Sequence, residues 1–137
     1  ADLAAVGDLE AFLTEGPTKM LVIGDPDRLR TAGQRLKEFV GDRIYLTGSY
    51  PFFLEMMHPE VSKGRAVQAV AADLGVNRTE VLAIGDNYND LPMMEYAGTG
   101  VAVSHAPDAV KARANFVTEG GAGDGVAEAI ERFVLEG

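Results

Sequence analysis

The chain has 137 residues, enough for one domain or a domain and a half. An apolar content of 47% against 24% charged residues excludes a disordered segment and fits a globular protein with an ordinary core. The formal charge of −9 argues against nucleic acid as the main partner, and the absence of cysteine removes disulfides, thiolate catalysis and cysteine-held metals.

The first stretch, "ADLAAVGDLEAFL", is acidic and lacks the basic region of a signal peptide. No apolar run approaches membrane-spanning length, so a cytoplasmic protein with no membrane partner is expected. The chain opens without methionine, which points to a fragment or a processed product. Helical periodicity over "DLAAVGDLEAFL" predicts a short helix, and "TKMLVIG" reads as a strand. "DPDRLRTAGQRLKEFV" is a helix whose apolar face is Leu29, Leu36, Phe39 and Val40. "RIYLTG" and "FFLEMM" are two strands around the turn-like "GSYP". Strands this close in sequence suggest an antiparallel, α+β piece.

After Pro59 the rhythm changes. "SKGRAVQAVAADLG" predicts a helix with Ser62 as N-cap, Gly75 as its stop, and Ala66, Val67, Val70 and Leu74 on the buried side. "VLAIGD" is a buried strand, "NDLPMMEYAG" a helix, "GVAV" a strand, "PDAVKARA" a helix begun by proline, and "FVTE" a strand. "GDGVAEAIERFVLEG" closes as an amphipathic helix with Val126, Ile130, Phe133 and Val134 inward. Alternating strands and helices are the signature of a parallel sheet wrapped by helices. The expected fold is therefore α/β, a partial doubly wound parallel sheet over residues 60–137, preceded by a small α+β module over residues 1–59.

Open α/β sheets place ligands beyond the carboxyl ends of their strands. In "VLAIGDNYNDLPM" that position holds Asp86, Asn89 and Asp90, with Gly85 allowing close backbone approach. Hard carboxylate oxygens there suit Mg²⁺, which takes few protein ligands and fills the rest with water and phosphate. Capping of the next helix would explain a lone aspartate after a strand, but not three converging polar groups. Lys63, at the start of the preceding helix, opposes that helix's dipole and is better explained by an anionic group in the crevice.

"EVSKGRAVQAVAADLGV" followed by "VLAIGDNYNDLPMMEYAGTGVAVSHAPDAVKARANFVTEGGAGDGVAEAI" resembles the C-terminal half of the haloacid dehalogenase superfamily phosphatases of the Cof type. The likeness runs from Phe53 to the C-terminus. "TKMLVIGDPDRL" and "SYPFFLEMMHPEVSKG" resemble the closing parts of that family's cap. The resemblance implies that Lys63 is a catalytic, phosphate-binding lysine and that Asn89 contacts the substrate phosphate. It also implies that Asp86 is a Mg²⁺ ligand and that Asp90 supports both the metal shell and the lysine. The implied reaction is Mg²⁺-dependent hydrolysis of small phosphorylated metabolites such as sugar phosphates through an aspartyl-phosphate intermediate.

That family's nucleophile is the first aspartate of an Asp-x-Asp pair at a strand end, and Asp25 and Asp27 imitate it. Proline between them has no N–H to hold a transferring phosphoryl oxygen, whereas Asp-Pro is a strong helix start. Thr47 and Gly48 imitate the second motif, but only 15 residues separate Thr47 from Lys63, too few for the usual crossover. Asp25 is therefore expected to be a helix cap. The nucleophile belongs to an N-terminal half outside this chain, so the chain alone is expected to be inactive. Expected partners are that missing half or a second copy. The rival expectation is a non-catalytic metal- or phosphate-binding or assembly module. Tyr50, Phe52, Phe53 and Glu55 lie where a cap could touch substrate, with Glu55 a candidate reader of a sugar hydroxyl, but cap packing with a surface acid is the favoured reading. The methionines are read as core filling, and His58 and His105 as surface or loop residues without a catalytic partner.

Overall fold

The computed structural model describes residues 4–136. The stretch predicted as the first helix begins before residue 4, and that part lies outside the described residues. Within them the helix is one turn, α1 (Leu9–Phe12), started by Asp8, whose side chain accepts the N–H of Glu10 and Ala11.

Two three-stranded sheets follow. The first contains β1 (Met20–Ile23), β2 (Tyr45–Thr47) and β3 (Phe53–Met57), in the order β1-β3-β2 and antiparallel throughout. Between β1 and β2 runs α2 (Pro26–Val40). Asp25 caps α2, its Oδ1 taking the N–H of Arg28 at 3.0 Å, and Pro26 fills the first turn. Asp27 is an exposed partner of Arg30. The strand before this pair thus belongs to an antiparallel sheet, and its end is a helix start. Leu29 and Val40 of the predicted α2 face are buried, while Phe39 is exposed.

The second sheet contains β4 (Leu82–Gly85), β5 (Thr99–Ala102) and β6 (Phe116–Val117), parallel and in sequence order. Each parallel neighbour requires a crossover, supplied by α4 (Leu91–Tyr96) and α5 (Asp108–Lys111). α3 (Lys63–Asp73) precedes β4 and α6 (Ala122–Ile130) follows β6, continuing into a π-helical turn over Glu131–Leu135. Ala83, Met94, Ala97, Ala102, Ala106 and Val110 form the buried centre, packed round by Val81, Leu91, Met93 and Ala114.

The predicted inner faces of α3 and α6 need correction. Ser62 does cap α3, accepting the N–H of Arg65 at 3.2 Å, but Val70 is 58% exposed and Leu74 69%. The buried residues are Gly64 and Ala71. Glycine is required there because a Cβ on residue 64 would stand 2.4 Å from the carbonyl oxygen of Pro92 on α4. In α6, Gly125 and Ala129 are buried, whereas Val126, Ile130 and Val134 are exposed. Small residues let these helices approach closely, and the larger apolar side chains are turned outward.

Candidate phosphate and metal site

The site forms at the carboxyl end of β4. Asp90 is only 2% exposed although it is an acid. Burial alone would push its pKa up. The Lys63 ammonium, bonded to Oδ1, and the N–H groups of Asp86 and Asn87, donating to Oδ2 at 2.9 and 3.0 Å, more than offset that. The carboxylate is held below its ordinary range and stays ionised. Gly85 makes the arrangement possible, because a Cβ there would lie 2.4 Å from that of Asp90.

Asp90 thereby does two things. It fixes the half-exposed Lys63 at the mouth of the crevice, and it shapes the backbone that carries Asp86. Its own oxygens are engaged inward, so of the two acids it is Asp86, more than half exposed, that offers carboxylate oxygens outward. Asn89 is mostly buried, and its Oδ1 has no hydrogen-bond partner among the described residues. Buried polar atoms almost always find a partner, so an unpaired one points to a ligand or solvent contact. Lys63, Asp86, Asn89 and Asp90 all stand on the elements that bound this strand end.

Two residues at the site make contacts that the sequence does not suggest, and one acid of the neighbouring sheet is more buried than expected. His105, read as having no catalytic partner, has its Nε2 3.6 Å from Asp86 Oδ2, and its Nδ1 accepts the N–H of Ala122 at 3.1 Å. Asn87 donates from Nδ2 to the carbonyl of Ser49 at 2.6 Å, which ties this loop to the antiparallel sheet. Glu55, read as a surface acid, is 7% exposed. No sequence spacing signals the pairings of His105 and Asn87, since their partners lie 17 to 38 residues away.

The donors suit an open Mg²⁺ site better than a closed cage. Among the described residues no three acids or histidines cluster to hold a metal by themselves. One outward carboxylate, with an amide and an ammonium carried on elements that bound the same strand end, suits an ion that takes few protein ligands. The large cavity of about 1330 Å³ lies elsewhere, between α2 and β2, and reaches this loop only at Asn87 and Tyr88.

A parallel sheet with lysine, aspartate and asparagine gathered at one strand end defines a class of phosphate-handling α/β enzymes. The profile of the haloacid dehalogenase-like hydrolases matches residues 6–130, and the chain belongs to that family, in its Cof-type branch. It is 42% identical over 117 residues to the Bacillus subtilis protein named "Putative phosphatase YxeH", covering 85% of this chain and 43% of the relative. It is also 42% identical over 91 residues to a phosphoglycolate phosphatase of Methanoculleus marisnigri, covering 66% of this chain and 38% of that one. The crystal structure of a haloacid dehalogenase-like hydrolase from Bacteroides thetaiotaomicron superposes with a TM-score of 0.72 at 36% identity, over 94% of this chain and 48% of that one. The chain thus spans less than half the length of the relatives it matches.

Proposed function

We propose that this chain supplies the phosphate-clamping and metal-holding part of a cytoplasmic, Mg²⁺-dependent phosphomonoester hydrolase. Its substrates would be small phosphorylated metabolites such as sugar phosphates. The observation that carries the proposal is the Lys63–Asp90 pair, buried on the acid side and half open on the lysine side, at the end of β4. In this reading the chain divides near Pro59, into a cap remnant (residues 1–59) and the later part of the core (residues 60–137).

Lys63 presents N–H donors to the phosphoryl oxygens and neutralises part of their charge. Asn89 adds a second polar contact from the same side. Asp86 would hold Mg²⁺, which when bound polarises the phosphoryl oxygens and offsets their charge. Asp90 acts through the other groups, holding Lys63 in place and bonding the Asp86 and Asn87 amides. Fixed donors of this kind lower the barrier because they need no reorganisation as charge shifts during the reaction. The relatives' names support the reaction class, since they are called phosphatases and one is named for phosphoglycolate.

The test is ¹H–¹⁵N NMR titration of the chain with MgCl₂ and with inorganic phosphate. Mg²⁺ should shift the amides around Asp86 and Asp90 at millimolar concentration, and Asp86→Ala should abolish those shifts. Phosphate should shift Lys63 and Asn89. Metal shifts that survive Asp86→Ala would place the ion elsewhere and sink the assignment.

A second reading rests on the outward apolar faces of α3 and α6: the chain assembles with another polypeptide, either the remaining part of a relative-length protein or a second copy. The two readings are compatible, because an assembly partner would bring groups that the crevice itself does not supply.

A further inference from the structure

His105 holds a place in the fold that the phosphate chemistry does not account for. It stands in the loop after β5, between Val103 and Ala106, both buried. Val103 donates its N–H to the carbonyl of Gly85, the residue before Asp86, at 3.1 Å, and Ser104 donates to the carbonyl of Gly120 at 3.3 Å. The backbone beside the ring is thus pinned on one side to the end of β4 and on the other to the approach to α6. The ring spans the same gap. Its Nδ1 accepts the N–H of Ala122, the first residue of α6, at 3.1 Å, and its Nε2 stands 3.6 Å from Asp86 Oδ2.

Two features at the start of α6 fit this tie. Gly121, the N-cap, offers the helix no side chain, and a Cβ there would lie 3.1 Å from His105 Nδ1. Ala122 has a φ of 44°, the one positive value at a non-glycine residue among the described residues. Strain of that kind persists only where surrounding contacts impose it. The ring accepts an N–H that no side chain of α6 itself caps.

An acceptor at Nδ1 fixes the chemistry of the other nitrogen. With Nδ1 unprotonated, the neutral ring carries its hydrogen on Nε2 and can only donate there. A ring in this state cannot ligate a metal through Nε2 without giving up its remaining hydrogen. It can donate to a carboxylate, and the one it faces is Asp86. The separation is just beyond hydrogen-bond reach and both side chains are about half exposed, so the contact adds little to stability. Its effect is on orientation. An N–H facing one oxygen of Asp86 limits how the carboxylate turns and leaves the other oxygen for a cation.

We propose that His105 is a positioning residue for the metal site: tied to the start of α6 through Nδ1, it presents Nε2–H to Asp86 and orients that carboxylate for a divalent cation. This rests on the Mg²⁺ site proposed above. The alternative role, a side chain that only caps α6, predicts a loss of stability on substitution and no change in metal affinity.

The experiment is the MgCl₂ titration of the chain by NMR at pH 8, with two variants that divide the ring's contacts. In His105→Asn the amide oxygen stands at the δ position and can still accept from Ala122, but no donor reaches as far as Nε2. In His105→Gln the amide nitrogen reaches the ε position, and the acceptor at δ is gone. His105→Asn should weaken Mg²⁺ binding roughly tenfold, as loss of an outer-sphere partner does, while His105→Gln keeps it within about twofold. Unchanged affinity in His105→Asn, or equal losses in both variants, would overturn this inference alone. Should neither variant fold, the ring ¹⁵N signals of the unaltered chain carry the test. Nε2 should hold its hydrogen, and Nδ1 none, before and after Mg²⁺ is added. A hydrogen on Nδ1, or an Nε2 that loses its own to the metal, would overturn the positioning role. Absence of any Mg²⁺ shift around Asp86 in the unaltered chain would overturn the metal site and this inference with it.

Discussion

Asp90 joins the stability of the crevice to its chemistry, and its substitution should separate the two. Asp90→Ala leaves the Asp86 and Asn87 amides without their acceptor, at about 1–3 kcal/mol for each buried group left unsatisfied. Lys63 would lose its anchor but, being half exposed, would regain water, so the ion pair adds little to that cost. The pH dependence has a definite sign. The folded pKa of Asp90 lies below its ordinary value, so its contribution to stability is present above the ordinary carboxylate range and is lost as pH falls through the lowered folded value. Urea denaturation of Asp90→Ala should therefore show a deficit at neutral pH that shrinks below about pH 4, where an ordinary aspartate protonates. A deficit that stays constant down to strong acid would mean the carboxylate's charge is not what stabilises the loop. Lys63, Asp86, Asn89 and Asp90 were legible in the sequence because all four sit at the ends of elements whose order a strand–helix rhythm fixes. Asn87, His105 and the buried state of Glu55 were not, because each depends on which distant loop meets the strand end.

At the scale of elements, local periodicity marked where helices lie better than which side they bury. α3 was expected to bury Val67, Val70 and Leu74, yet the contact with α4 is made through Gly64. Periodicity records where apolar side chains line up and carries no information on how closely a neighbour approaches. Gly64→Ala tests the point, because two effects oppose each other. Alanine gains about 1 kcal/mol over glycine from propensity in a helix interior, and less at Gly64, the second residue of α3. A methyl group pressed into the Pro92 backbone forces the α3–α4 pair apart, and overpacking of this kind costs about 1–3 kcal/mol. The clash is with backbone rather than a flexible side chain, so Gly64→Ala should be net destabilising by thermal denaturation. Gly75 offers the control for a different cause, since its φ of 67° disfavours any side chain although nothing stands within 4 Å of the added atom. A stabilised Gly64→Ala would show that the two helices can slide apart at little cost.

The whole molecule carries two surfaces that look unfinished for an isolated domain. β1 is exposed along its length, and α3 and α6 present Val70, Leu74, Val126, Ile130 and Val134 outward. Lys63 of α3 and the residues after β4 bring a lysine, an asparagine and two acids to one strand end, and none of these four is a group that the family pattern uses to attack phosphorus. Asp25, which imitates the family's nucleophile in sequence, is spent as the cap of α2 in an antiparallel module. Covalent phosphoryl transfer needs an activated nucleophile in line with the leaving oxygen, and orienting groups cannot replace it. Loss of a nucleophile costs on the order of a million-fold in the subtilisin example, which leaves only what electrostatic stabilisation supplies. The purified chain with Mg²⁺ should accordingly fail to hydrolyse p-nitrophenyl phosphate above an Asp86→Ala control, even while NMR shows phosphate at Lys63. Turnover that Asp86→Ala abolishes would mean that a nucleophile is present after all, and loss of that turnover in Asp25→Asn, which preserves the cap, would identify it.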